Sequence, residues 1–297
     1  MLLSKINEQN FEILKDADFD QVGMATTIYK NERVLSFLED SKFLDSILDN
    51  PNIVAIVTTK EIYEQNVISK DYGIIFSTNP KLLFYEIHNK LIDMSFYQRK
   101  ADNKISTSSE VSNNAFLADY NIQIGDNCIV EPGVVIYPNT KIGDNVIIRA
   151  GSTIGSEGFQ FLNEGESVIA AKSAGGVVIE SNVEIQNNTC VDRGVFGGNT
   201  IIKQNAKIDN LVHIAHDAII GKRTMIAAGS AIGGRTVIGS DSWIGINATI
   251  SNGLTLGDNC KISLGAVVTQ DVPSGKTVTG NFAIDHKKFI EFIKSIR

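Results

Sequence analysis

Two histidines, His213 and His216, stand three residues apart in the segment 207–217 and are the first candidates for chemistry. An imidazole titrates near neutral pH, so it can take a proton from an attacking nucleophile. Such a base needs a carboxylate that orients the ring and fixes its tautomer, and Asp209 is the candidate. We therefore predict that His216 acts as a general base with Asp209 as its partner.

A metal site is the competing interpretation, because catalytic zinc is held by three protein ligands. The chain has four histidines, and only His213 and His216 fall in this part of the sequence. No third histidine is available there, so no metal site is expected. The three cysteines, Cys128, Cys190 and Cys260, are odd in number and widely spaced. We expect them to be reduced core residues, not a disulfide frame or a zinc site.

The sequence lacks the glycine-rich loops that commonly bind nucleotide phosphates. It contains no G-x-x-x-x-G-K-[ST] motif and no G-x-G-x-x-G in a strand-to-helix context. The Gly-Gly pairs at 175–176, 197–198 and 233–234 are better assigned to loops or corners. Any nucleotide would therefore be held by aromatic stacking and backbone contacts.

An internal period of six residues predicts the elements that position these side chains. Aliphatic residues recur at every sixth position from 202 to 268: Ile202, Ile208, Ile214, Ile220, Ile226, Ile232, Ile238, Ile244, Ile250, Leu256, Ile262 and Val268. Shorter blocks of the same rhythm cover 124–154 and 179–191. A helix would repeat every 3.6 residues and an amphipathic strand every two, so neither explains this pattern.

A three-sided coil does explain it, because each side then takes one short strand and one corner. Every sixth side chain points inward and stacks on its equivalent in the next 18-residue turn. Gly, Asn and Asp recur where the corners would fall, and these residues adopt positive φ at low cost. The pattern predicts a mainly β protein built on a left-handed parallel β-helix. His216, two places beyond inward Ile214, should point out of the coil near a corner.

The rhythm breaks twice, after Ile154 and after Val191. Loops that leave a regular coil are where solenoid enzymes usually build their sites. The first break contains Phe159 and Phe161, which would reduce solubility as exposed rings unless they served a function. We predict that this insertion binds substrate.

The two ends of the chain do not follow the six-residue rhythm. Residues 1–100 predict a small α/β domain, with strands at 53–57 and 73–76 and helices at 44–48 and 80–91. Residues 101–280 would then be the β-helix, which the polar stretch 101–110 joins to the first domain. Residues 281–297 predict a short terminal helix, with apolar positions at helical spacing, that needs a partner surface.

Net charge and hydropathy argue against some classes of binding partner. The net charge is −7 and the calculated pI is near 5.2, which argues against a nucleic-acid or membrane-surface partner. No run of 18 apolar residues exists, so no membrane span is expected. The N-terminal residues turn polar too early for a secretory signal, which favours a cytoplasmic protein.

In its motifs the chain resembles the UDP-3-O-acylglucosamine N-acyltransferases, which acylate a sugar amine with an acyl carrier protein thioester. The resemblance extends to about residue 245. It rests on residues 155–159, 189–194, 208–210 and 214–216 in the coil, and on 36–43 and 78–80 in the first domain.

The resemblance implies roles for individual residues. His216 would be the base and Asp209 its partner, and Phe37 and Phe43 would sandwich a uracil. The remaining candidates are, for the substrate, Asp40, Phe159, Phe161 and Asn210, and for the thioester donor, Gly229, Lys276 and Asn281. No bound cofactor is implied, since the co-substrate is an acyl thioester of acyl carrier protein or coenzyme A. The resemblance also implies a homotrimer that takes a nucleotide-linked amino sugar.

Two departures from the family leave alternatives open. Asp40-Ser41-Lys42-Phe43 stands where the family usually reads Asn-Pro-x-Tyr. Residues 264–269 replace a Met-rich segment, and residues 264–281 look like short-chain acetyltransferases of amino sugars, which use coenzyme A. One alternative is therefore a short-chain (acetyl or 3-hydroxybutyryl) N-acyltransferase of a UDP- or dTDP-amino sugar. A more distant one is a non-catalytic or metal-binding hexapeptide solenoid.

Overall fold

The computed structural model describes residues 1–6, 11–26, 32–65, 68, 71–97, 100–280 and 285–295. Three parallel sheets of nine, eight and eight short strands form the three sides of a left-handed β-helix. Strands that pair are mostly 18 residues apart, as in Ile208 with Ile226 and Ile214 with Ile232. The predicted coil of three six-residue sides is confirmed.

The strands of the coil are short, most of them two residues long. They are β6 (Lys104–Ile105), β7 (Glu110–Val111), β8 (Phe116–Leu117), β9 (Ile122–Ile124), β10 (Ile129–Val130), β11 (Val135–Ile136), β12 (Thr140–Ile142), β13 (Ile147–Ile148), β14 (Thr153–Ser156), β17 (Gly176–Ile179), β18 (Glu184–Ile185), β19 (Cys190–Asp192), β20 (Asn199–Ile202), β21 (Lys207–Ile208), β22 (His213–Ile214), β23 (Ile219–Ile220), β24 (Met225–Ile226), β25 (Ala231–Ile232), β26 (Val237–Ile238), β27 (Trp243–Ile244), β28 (Thr249–Ile250), β29 (Thr255–Leu256), β30 (Lys261–Ile262), β31 (Val267–Val268) and β32 (Thr277–Val278). The polar stretch 101–110, expected to be a connector, already contains the first strands of the coil.

The core of the coil consists of the inward aliphatic residues of the hexads. Ile202, Ile214 and Ile232 have no exposed surface. Small residues four places on, such as Ala218, are buried as well. Corner residues three places beyond most of these aliphatic residues adopt positive φ. They include Asn205, Asp217, Asn247 and Asn259, and also Leu211, Arg223 and Arg235. The corner chemistry is therefore as predicted, with a few bulkier residues tolerated.

The N-terminal residues form a five-stranded sheet with helices packed on it. The elements are β1 (Glu12–Lys15), β2 (Gln21–Val22), β3 (Val34–Leu38), β4 (Ile53–Thr58), β5 (Gly73–Phe76), α1 (Leu44–Leu48), α2 (Lys60–Gln65) and α3 (Pro80–Asp93), with short 3₁₀ turns at Leu3–Lys5 and Ser41–Phe43. The strand order is β1-β5-β4-β3-β2, with β1 antiparallel to β5 and the other pairs parallel. Asn79 caps α3 by accepting a hydrogen bond from the Leu82 N–H at 3.1 Å. The helices and strands expected here are present.

The insertion after Ile154 forms a hairpin of β15 (Phe161–Glu164) and β16 (Ser167–Ala170). Leu162 from the hairpin and Phe196 from the second break join the apolar core of the N-terminal sheet. His88 of α3 donates from Nε2 to the Lys172 carbonyl at 2.8 Å, and its Nδ1 accepts from the Tyr97 hydroxyl at 2.7 Å. These contacts fix the N-terminal domain against one corner of the coil.

The chain ends in α4 (His286–Ser295), where the sequence predicts a helix. Phe289 and Phe292 on this helix are exposed. Asn281 and the other residues of 281–284 lie outside the described part of the chain. None of the helices in the described ranges combines the length and apolar character that crossing a bilayer requires.

Candidate functional site

His216 lies just beyond β22, at a corner of the coil. Its side chain faces Gly158 of the insertion, so it points outward as its spacing from Ile214 predicts. The residue is nevertheless only 8% exposed, because the insertion covers it. The outer surface of the coil at His216 is therefore not open to solvent. We call the covered space around this imidazole the niche, and in it the ring is shielded from bulk water.

Two glycines create the space for this ring. A Cβ at Gly158 of the insertion would lie 2.9 Å from the Cβ and Cδ2 of His216. A Cβ at Gly234, which follows His216 by one turn of the coil, would lie 2.7 Å from Cε1 and Nε2. The imidazole is thus enclosed by two backbone segments that both need glycine for steric reasons. Its Nε2 faces Gly234.

The carboxylate that orients His216 is Asp217, its neighbour in sequence. Nδ1 of His216 lies 2.9 Å from Oδ2 of Asp217, and the same oxygen accepts from the Val195 N–H at 3.2 Å. The backbone N–H of Asp217 donates to the Thr200 hydroxyl at 2.8 Å. This arrangement places the proton on Nδ1 and leaves the lone pair on Nε2. Asp217 was missed in the sequence, although an acidic residue next to the histidine was visible there.

The prediction that Asp209 orients His216 is wrong within this chain. Asp209 belongs to the next corner, where its Oδ1 accepts from the Asn210 backbone N–H and its Oδ2 from the Ala228 N–H, at 2.7 and 3.0 Å. The Asn210 side chain bonds Asn187 and Asp209, not the niche. Gly229 donates its N–H to the Asn210 carbonyl at 3.0 Å, so it belongs to the same corner. A seven-residue spacing in hexads places Asp209 one corner away.

A cavity of about 320 Å³ opens between the N-terminal domain, the insertion and the coil. It brings together the predicted rings Phe37 and Phe43. Sequence reasoning did not single out its other lining residues, which are Met24, Ala25, Thr26, Glu39, Ser46, Lys81, Tyr85, Gln160 and Arg235. Arg235 connects the cavity to the niche, because its backbone N–H donates to the His216 carbonyl at 2.8 Å.

The walls of the cavity combine aromatic and charged groups. Phe37 packs against Phe84 with ring centroids 4.9 Å apart, whereas Phe43 is 48% exposed. One ring is thus fixed and the other accessible. Burial raises the pKa of Tyr85 to about 12, and the charges of Asp217 and Glu39 act in the same direction while Arg235 opposes them. Tyr85 therefore remains a neutral hydroxyl in the wall of the cavity.

The other predicted site residues lie at varying distances from this cavity. Asp40 caps the 3₁₀ turn by accepting from the Lys42 N–H at 3.0 Å and pairs with the Lys42 ammonium, while its neighbour Glu39 lines the cavity. Phe159 is 86% exposed and stacks edge-on with Phe161, on either side of the lining residue Gln160. Lys276 lies in the turn before β32. Asn281 lies outside the described residues.

A second group of polar residues lies on the same side of the coil, at the base of the insertion. Cys190, Asp192 and His213 offer ligand atoms within 4.8 Å of one another. Burial raises the pKa of the Cys190 thiol. Arg193 of the same segment pairs with Glu157 of the insertion. The expectation that Cys190 is a core residue is wrong, because its side chain is only partly buried. Asp192 follows it on the same strand, and His213 comes from the next turn of the coil.

Comparison with known proteins agrees with this architecture. The model of the bacterial transferase hexapeptide family (six repeats) matches residues 121–156, 199–234 and 235–270. The solved UDP-N-acetylglucosamine acyltransferase of Francisella novicida superposes with a TM-score of 0.50 at 22% identity, covering 64% of this chain and 71% of that one. At this identity the likeness supports the fold alone.

Two sequence relatives carry the same name, UDP-3-O-acylglucosamine N-acyltransferase. The protein from Prochlorococcus marinus strain MIT 9515 is 31% identical over 257 residues, which cover 75% of this chain and 74% of the relative. The protein from Wolinella succinogenes is 43% identical over 101 residues, 34% of this chain and 31% of the relative. The first alignment covers about three quarters of each chain. The second spans about a third of its relative.

Proposed function

The chain belongs to the family of UDP-3-O-acylglucosamine N-acyltransferases, and from that premise we propose that it transfers an acyl group from a thioester to the amine of a UDP-linked amino sugar. The observation that carries the proposal is the His216–Asp217 pair, with Nε2 free to accept a proton, beside a cavity walled by two aromatic rings. A flat base and an attacking amine would then occupy adjoining parts of one site.

The cavity supports a nucleotide as its occupant. Phe37 and Phe43 can stack on the two faces of a uracil, as the family resemblance implies. Lys81 and Arg235 are cations in the same wall and would meet the diphosphate. Because Arg235 is bonded through its backbone to His216, a sugar attached to that diphosphate would extend toward the imidazole.

The chemical step is a single acyl transfer. The amine nitrogen attacks the thioester carbonyl carbon, and Nε2 of His216 takes the proton that the nitrogen loses. The C–S bond of the tetrahedral intermediate then breaks, and the sulfur leaves and receives that proton from the imidazolium. Asp217 holds the ring in the correct tautomer and stabilises its charge while the proton is on it. The products are an amide and a free thiol.

Two acyl-thioester donors are candidates for the proposed reaction. A long 3-hydroxyacyl group on acyl carrier protein follows from the family. A short acyl group on coenzyme A is favoured by residues 264–269, which stand in place of a Met-rich segment and form part of the last coils. The sugar would be UDP-linked in the first case and UDP- or dTDP-linked in the second.

The assembly we propose is a homotrimer of parallel coils. Its support is the apolar outer surface of the later turns, where Met225 and Trp243 line a groove and Leu264 and Val267 are more than 60% exposed. Such a patch usually marks a contact between subunits. Light scattering coupled to size-exclusion chromatography should give three times the mass of one chain.

Product analysis tests the proposed reaction directly. Purified protein is incubated with UDP- and dTDP-linked amino sugars, each against acetyl-CoA, 3-hydroxybutyryl-CoA and long 3-hydroxyacyl carrier protein, and the products are identified by mass spectrometry. We expect an amide product with a UDP-linked sugar. Absence of thioester consumption with every pair would refute the proposal and favour a binding solenoid.

A further inference from the structure

We propose that Cys190, Asp192 and His213 form a binding site for a divalent transition-metal cation of the zinc type. The site is separate from the His216–Asp217 pair and does not depend on the proposed reaction. The coil itself creates it. Cys190 pairs with His213 of the next turn in the parallel ladder, which places thiol and imidazole side by side.

The direction of the side chains follows from strand alternation. Cys190 and Asp192 are two residues apart on β19, so both point away from the core, while Val191 between them is fully buried. The ladder between β14 and β19 is irregular after Ile154 and pairs Ser156 with Asp192. Ser156 donates from Oγ to Oδ1 of Asp192 at 2.8 Å, which holds the carboxylate in the cluster.

Two of the distances between donor groups are close to those of tetrahedral coordination. Ligand atoms around one zinc ion, with bonds of about 2.0 to 2.3 Å, lie about 3.3 to 3.6 Å apart. In the cluster, Cys190 Sγ is 3.5 Å from Asp192 Oδ1, and His213 Nε2 is 3.6 Å from Asp192 Oδ2. All three ligand atoms lie within 4.8 Å of one another, so a movement of the side chains would bring them to a common ion.

Charge and donor chemistry point to the same class of ligand. The Asp192 side chain is only 6% exposed, and in the described part of the chain its one ion-pair partner is His213. A carboxylate so buried is costly unless a positive charge neutralises it. Sulfur, nitrogen and oxygen donors together select zinc or a similar metal over calcium or magnesium.

The site is also accessible. The His213 side chain is 48% exposed, so a cation can enter from solvent. Three protein ligands leave a fourth position for water. The simpler alternative is an ion pair between a protonated His213 and Asp192, with a bystander thiol, and the experiment below separates the two.

Cobalt titration tests the proposal, because Co²⁺ bound to a thiolate gives a sulfur-to-metal charge-transfer absorption. The full-length protein is titrated with Co²⁺, and Zn²⁺ is then added. We expect the band to saturate at one Co²⁺ per chain and to disappear when Zn²⁺ displaces the cobalt. Cys190→Ser should abolish the band. Cys260→Ser, at a buried cysteine of the coil core, is the matched control and should retain it.

A second variant keeps the test valid should Cys190→Ser fold poorly. His213→Gln changes an exposed side chain, and we expect it to weaken Co²⁺ binding by roughly tenfold or more while the circular dichroism spectrum stays unchanged. Failure of the wild-type protein to give the band at one equivalent would overturn the proposal. So would a band of equal strength in Cys190→Ser, or wild-type affinity in His213→Gln.

Discussion

Nδ1 of His216 lies 2.9 Å from the carboxylate oxygen Oδ2 of Asp217, the residue that follows it. Neighbouring residues can meet in this way because Asp217 occupies a corner with φ of 59°, where the chain turns from one side of the coil to the next. The corner conformation, which aspartate tolerates, brings the carboxylate back onto the ring. The same backbone geometry that builds the coil therefore also builds the proposed base.

The first prediction concerns the space around the imidazole. Gly234→Ala would place a methyl group 2.7 Å from Nε2 and displace the ring. We expect kcat to fall by about 10² because a misplaced catalytic group loses that order of rate. Steady-state kinetics and a thermal melt measure the effect.

Gly233→Ala serves as the contrasting variant, since its methyl group would meet the backbone of Asn252 rather than the ring. It should lower Tm more than Gly234→Ala does. Equal kcat in Gly234→Ala and the wild type would show that Nε2 is not confined by this glycine.

The second prediction concerns the nucleotide. Phe43→Ala should weaken the binding of UDP by roughly 5- to 150-fold, since stacking on an aromatic ring contributes about 1–3 kcal/mol per base. Isothermal titration calorimetry with UDP measures the change. Phe116→Ala is the control, because this ring is exposed on the first turn of the coil and does not line the cavity. Unchanged UDP affinity in Phe43→Ala would remove this ring from the binding site.

The third prediction tests the inward and outward positions of the coil. Ile244 is fully buried, whereas Ile246, two residues later, is 53% exposed. Ile244→Ala should lower the free energy of unfolding by about 2–5 kcal/mol, because it removes core methyl groups and leaves a cavity. Ile246→Ala should change it by about 0.5 kcal/mol or less. Chemical denaturation of both variants checks this, and similar losses would contradict the assigned faces.

The fourth prediction concerns pH. Burial lowers the pKa of His88 from 6.5 to about 4, so the folded protein keeps this imidazole neutral while the unfolded chain protonates it. Protonation of His88 in the unfolded chain alone lowers the free energy of unfolding. The free energy of unfolding is therefore unaffected by His88 above pH 6.5 and decreases as the pH falls from 6.5 toward 4. The gap between the two pKa values corresponds to about 3 kcal/mol.

Denaturation curves at several pH values between 7 and 4 measure this dependence. In His88→Gln the free energy of unfolding should be lower at pH 7 and should decline less steeply toward pH 4. A parallel decline in the two proteins would mean that His88 is not the group responsible.

The sequence was sufficient to predict the coil, because the six-residue period alone identifies residues such as Ile214 and Ile232 as inward-pointing. It also indicated His216, because the same period places that residue outside the core. The sequence did not show that the insertion, through Gly158, covers His216, because the insertion does not follow the six-residue period. Asp217 was missed for a related reason. In a hexad coil, the number of residues between two positions does not show whether they lie at the same corner.

The cavity illustrates a second limit. Phe37 and Phe43 were recognised through a family resemblance, yet Arg235 and Tyr85 were not, although they line the same space. Their approach depends on how the N-terminal domain sits on the coil. That packing arises from apolar contacts around residues such as Phe196, whose role no local pattern reveals. Contacts between separate domains leave no repeating pattern in the sequence from which they could be predicted.

The turnover of His216→Ala, with Asp217→Asn and Asp209→Asn beside it, tests the central claim most directly. At saturating amino sugar and thioester we predict that His216→Ala loses about 10²–10⁴ of kcat and that Asp217→Asn follows it, while Asp209→Asn loses far less. UDP binding should remain that of the wild type in the first two variants. Full turnover in His216→Ala, or a larger loss in Asp209→Asn than in Asp217→Asn, would contradict the account.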